Sequence, residues 1–84
     1  MSKNLDIIEK AKSIFLEGLN SFQKENFETA ERKFLEVLEL VPDRLSAIQN
    51  LISLYIATND KNKLKELLSK YNHLNHEKEI IYGV

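Results

Sequence analysis

The sequence predicts an all-α protein of antiparallel helix pairs, and three observations predict it. Apolar residues recur at helical spacing in four segments, with no alternating strand pattern anywhere. The 84-residue chain holds two glycines and one proline, which favours helices joined by short connections. Two polar breaks, "QKEN" and "TNDKN", separate the partners of each pair and fall at matching places in two similar halves.

The first helix is expected from Leu5 to Phe22. Leu5, Ile8, Ala11, Phe15, Leu19 and Phe22 form one stripe, with Ile7, Ile14 and Gly18 beside it. After "QKEN", Asn26 is placed as the N-cap, because its side chain can accept from a free backbone N–H of the following turn. Phe27, Ala30, Phe34, Val37, Leu38 and Val41 then make the second stripe. Pro42 stops that helix, and Asp43 is placed as the cap of the next. Leu45, Ile48, Leu51, Ile52, Tyr55 and Ile56 mark the third helix. Asp60 caps the fourth, which carries Leu64, Leu67, Leu68 and Tyr71. "NHLNHEKE" breaks the pattern again, and "IIYGV" begins a further element.

One small domain is the limit for this length. Apolar residues make up 43% and charged residues 30%, a balance that favours a folded core over disorder. Lys and Arg (12) do not exceed Asp and Glu (13), so no basic field is expected for nucleic acid or an anionic membrane. There is no cysteine, which excludes disulfides and thiolate zinc sites. No secretory signal is read at the N-terminus, and no run approaches the roughly 20 apolar residues that span a bilayer. The expected location is therefore cytoplasmic.

The two halves align at an offset of about 34 residues, a helix-turn-helix repeat period. Ile14 falls on Ile48, Phe22 on Ile56, Asn26 on Asp60, Ala30 on Leu64, Phe34 on Leu68 and Leu40 on Leu74. In the first half, Gly18 lets the second helix come close, and Phe27 starts that helix. Ala30 sits at the crossing, Phe34 fills the gap beside it, and Pro42 ends the unit. In these features the chain resembles the tetratricopeptide repeat (TPR) family, from roughly Ala11 to Leu74. The second half departs from the pattern: Ile52 stands where Gly18 stood, Lys61 replaces Phe27, and no proline follows. In the first half, Glu17 and Ser21 occupy positions where the family usually has leucine and tyrosine. The resemblance implies a short right-handed α-solenoid, with repeat 1 at about 11–44 and repeat 2 at about 45–74. A partial third pair or capping helix follows at 76–84, where Gly83 takes the role of Gly18. The last apolar face of such a stack is open, and a second copy of the chain could cover it.

No constellation points to catalysis. There is no phosphate-cradling glycine loop, nucleophile elbow or His-Glu-x-x-His. His73 and His76 fall across a polar break and read as exposed loop histidines, not as metal ligands. Glu25, Glu28, Glu31, Glu36 and Glu39 read as wet helix faces, able to pair with Lys24, Arg32 and Lys33 at i,i+4 spacing. No cofactor and no metal is expected.

The family resemblance implies protein or peptide binding on the concave face lined by the first helix of each pair. That face takes Lys12, Phe15, Leu19, Phe22 and Gln23 from the first repeat. From the second it takes Ser46, Gln49, Asn50, Ser53 and Ile56. Family members that grip a peptide's C-terminal carboxylate place a lysine and an asparagine where this chain has Phe15 and Leu19; only Asn50 matches, so that clamp is not expected. An apolar groove suits an amphipathic helix or an extended apolar segment instead. The other reading from the sequence is an accessory N-terminal part of a larger modifying enzyme, such as a glycosyltransferase, with no catalysis in this segment.

Overall fold

The computed structural model of the chain describes residues 3–71. Among them are four helices and no strand: α1 (Lys3–Gln23), α2 (Phe27–Leu40), α3 (Leu45–Ala57) and α4 (Lys61–Lys70). Each helix packs chiefly on its neighbours in the chain, α1 on α2, α2 on α3 and α3 on α4. The end of repeat 2 at 72–74, the partial pair or capping helix expected at 76–84, and with them His73, His76 and Gly83, lie outside the described residues.

α1 and α2 run antiparallel, as their facing residues show. Phe22 meets Phe27 near the turn, with ring centroids 5.7 Å apart, and Phe15 meets Phe34 farther along, at 5.6 Å. Between those contacts Lys33 Nζ reaches Glu17 Oε1 at 2.8 Å. Gly18 is buried at the same level, directly under Phe34. A Cβ at Gly18 would stand 2.7 Å from Phe34 Cε1, closer than carbon atoms pack, and a tight 3.2 Å from Lys33 Cβ. The glycine is therefore required by the approach of α2, as the sequence predicts.

The turns that end α1 and α3 are the same structure repeated. Glu25 and Asn59 both have left-handed backbones, at φ 62° and 57°. After each, the chain re-enters a helix through a cap of nearly equal dihedrals, Asn26 at −87°, 75° and Asp60 at −94°, 83°. The hydrogen bonds match as well. Asn26 N–H donates to Ser21 O and Asp60 N–H to Tyr55 O, both at 2.8 Å; Glu25 N–H donates to Phe22 O and Asn59 N–H to Ile56 O, at 2.9 and 3.1 Å. This pair of bonds closes the C-terminal carbonyls of a helix in a Schellman motif. The partners differ by 34 in every case, so the backbone carries the period that the side chains suggested.

The core contains Ala11, Ile14, Ala30, Phe34, Val37, Leu38, Ala47, Ile48, Leu51, Leu54, Tyr55, Leu67 and Tyr71. In α1 the stripe centres on Ala11, Ile14 and Gly18, while Phe15, Leu19 and Phe22 are half-buried beside it. The expected order of the two stripes is thus reversed, because α2 approaches over the glycine. Ile8 and Leu45, expected in the stripes, are more exposed than buried positions allow, at 37% and 39%. Ala47 and Leu54, which the spacing did not single out, are buried.

Two caps differ from expectation. Asn26 is the N-cap of α2 but makes no side-chain hydrogen bond to the helix. The N-cap of α3 is Arg44, not Asp43, because Asp43 takes a left-handed backbone (φ 65°) that completes the reversal after Pro42. Asp60 caps α4 as expected, accepting from Lys63 N–H at 3.2 Å.

Candidate interaction surface

α1, the C-terminal half of α2 and the start of α3 meet at one place on the surface. There a cleft of about 200 Å³ is lined by Ala11, Lys12, Phe15, Leu16, Val37, Arg44 and Ser46. Three of the sequence-predicted contact residues, Lys12, Phe15 and Ser46, are brought together in it. The floor is apolar, built from Ala11, Phe15 and Val37. Phe15 is held from behind by the ring of Phe34, so it presents one face to the cleft instead of a free side chain. Leu16 forms the lip and is 64% exposed.

The remaining predicted residues divide between the two helices. Leu19 and Phe22 are half-buried along α1, and Phe22 packs edge-on against both Phe27 and Phe34. Gln23 is exposed at the end of α1. On α3, Gln49 and Ser53 are exposed, and Ile56 is 63% exposed. Asn50 is half-buried and donates from Nδ2 to the carbonyl of Ser46 at 2.8 Å. That bond spends part of the amide's donor capacity on its own helix and leaves its carbonyl oxygen as the acceptor. Sequence reasoning missed Leu16 and Arg44, which complete the cleft. Leu16 lies off the core stripe, and an exposed leucine has no sequence signature. Arg44 enters only because the turn after Pro42 makes it the N-cap of α3.

Elsewhere, a larger groove of about 480 Å³ runs between α2 and α4 over Leu35, Leu38, Leu67 and Tyr71. Its edge holds a polar cluster. Tyr55 Oη donates to Glu31 Oε2 at 2.8 Å, and Lys63 Nζ donates to the two Glu31 oxygens at 3.3 and 3.0 Å. Burial, then the neighbouring Glu31 carboxylate, pushes the Tyr55 phenol well above its ordinary value. The hydrogen bond to Glu31 raises Lys63, which is solvent-exposed. The sequence placed Glu31 on a wet face, but it joins α2 to both α3 and α4. The ion pairs Lys33–Glu17 and Lys63–Glu31 thus link different helices, whereas the sequence suggested i,i+4 pairs along one helix.

Among the described residues no group of three or more His, Cys, Asp or Glu is placed to hold a metal ion. No helix there is long and apolar enough to cross a membrane. No family model, curated protein or solved structure matches this chain.

Proposed function

We propose that the chain is a helical-repeat interaction module of the TPR type, whose α1–α3 face takes a segment of a partner protein. The observation that carries this reading is the cleft joining Lys12 and Phe15 of α1 to Ser46 of α3, with exposed Leu16 and Ile56 on the same two helices. The matching turns 34 residues apart support the repeat on which the reading depends. Two successive pairs closed by one repeated turn are the unit from which a short solenoid is stacked. The role is binding, with no chemistry assigned to this segment. The same face would serve whether the chain acts alone or as an accessory part of a longer enzyme.

The test is affinity capture from cells with three variants of equal fold. Leu16→Asp and Ile56→Asp should lose the specific partner, and Leu35→Asp, in the α2–α4 groove, should keep it. Loss with Leu35→Asp alone would reject the α1–α3 face.

Self-association is a second reading, favoured by one contrast. Leu68 lies 34 residues after Phe34, yet Phe34 is fully buried and Leu68 is 36% exposed. The rings of Phe15 and Phe22 on α1 cover Phe34, whereas the residues 34 positions on, Gln49 and Ile56 of α3, are both exposed and leave Leu68 open. A second copy on α4 would bury it, and sedimentation of the protein with Leu68→Glu should then show more monomer than wild type. A wild-type monomer at high concentration would exclude this reading.

A further inference from the structure

We infer that the α1–α3 cleft selects an acidic segment that carries an apolar anchor, an assignment that rests on the reading of this face as the binding surface. Three features of the cleft converge on that chemistry. First, among the described residues its two charged lining residues, Lys12 on α1 and Arg44 at the cap of α3, are both cations, and none of the described lining residues is acidic. Second, the cleft opens at the N-terminus of α3. That helix has no acidic residue in its first turn, and its N-cap Arg44 makes no side-chain cap hydrogen bond, so neither brings a negative charge to the positive end of its dipole. Third, the apolar floor of Ala11, Phe15 and Val37 under the Leu16 lip gives one apolar side chain a place to lose water.

Charge complementarity decides the occupant. Across the chain the charges nearly cancel, with 12 basic and 13 acidic side chains, so a cleft lined by cations alone is a local property and not a reflection of net charge. Asp43 precedes Arg44 but does not line the cleft. A basic segment would set its charges against Lys12, Arg44 and the helix end. A purely apolar one would bring no counter-charge to those groups. A leucine or phenylalanine flanked by glutamate or aspartate satisfies all three features: the apolar side chain enters between Phe15 and Leu16, and the carboxylates meet Lys12 and Arg44. The site differs from a clamp for a chain-terminal carboxylate, because side-chain carboxylates on either side of the anchor reach the two cations.

The experiment titrates the whole chain, isotope-labelled for NMR, with three end-blocked synthetic peptides. One has glutamates flanking a Leu-Phe pair. The second has lysine for every glutamate, and the third has serine for the Leu-Phe pair. The acidic apolar peptide should bind most tightly, shift the amides of Phe15, Leu16 and Ser46, and weaken with added salt. Lys12→Gln with Arg44→Gln should weaken it about tenfold, in keeping with the loss of two charge pairs. Lys61→Gln with Lys65→Gln, which removes the same charge from exposed positions on α4, should leave it unchanged. If the lysine peptide binds this face as well or better, or if the Lys12/Arg44 double variant binds like wild type, the acidic assignment is wrong while the face stands. If no peptide shifts these amides at millimolar concentration, both the assignment and the face fail.

Discussion

Gly18 lies directly beneath the ring of Phe34, so close that a single added methyl would stand 2.7 Å from Phe34 Cε1. Phe34 is fully buried and held between Phe15 and Phe22, so its ring has no free space to turn into. Gly18→Ala should therefore destabilise, although alanine is the better helix former by about 1 kcal/mol. Overpacking of about 1–3 kcal/mol outweighs that gain. Chemical denaturation should show a net loss, and a Phe34→Leu background should reduce the penalty.

Ala30 is completely buried in the core. Ala30→Leu should overpack it and cost about 1–3 kcal/mol, read as a lower melting temperature. An unchanged melt would mean that α1 and α2 do not cross there.

Glu25 and Asn59 hold the same left-handed position in the two repeated turns. A side chain with a Cβ is strained there, asparagine less than glutamate, and glycine not at all. Glu25→Gly should stabilise by about 0.5–1 kcal/mol, and Asn59→Gly by clearly less. Equal effects in denaturant titrations would argue against matching backbones in the two turns.

Tyr55 and Lys63 make stability depend on pH at the alkaline end. Both groups have folded pKa values raised above their unfolded values, so the folded state holds their protons more firmly. Their contribution is fully present below the unfolded values of about 10 and 10.4. It is lost as pH rises above them toward the folded values. Unfolding free energy should be flat from neutral pH to about 9 and fall above 10. Tyr55→Phe should cost about 1 kcal/mol near neutrality through loss of the hydrogen bond to Glu31 and should flatten the alkaline fall. A parallel decline in the variant would show that Tyr55 does not cause it.

The all-helical class, the four helices and their breaks were legible in the residues alone. Hydrophobic spacing follows the geometry of a single helix, and Pro42 and Asp60 act within one turn of their own positions. Gly18, Ala30 and Phe34 were legible as a set, because close packing of two helices leaves a mark on residue size. The candidate surface was only partly legible. Lys12, Phe15 and Ser46 were placed by register, but Leu16 and Arg44 lay outside the pattern because solvent-facing positions put little constraint on residue type.

By itself the sequence determined where the chain is helical, which faces are apolar and that the pattern repeats, since these depend on contacts within a turn or on side-chain volume. Tertiary structure alone decided that α2 lies over Ala11, Ile14 and Gly18, that Glu31 ties three helices together, and that Lys12 and Arg44 share one cleft. Those relations depend on the angle and rotation at which finished helices meet, and that is settled by the summed packing of the whole core.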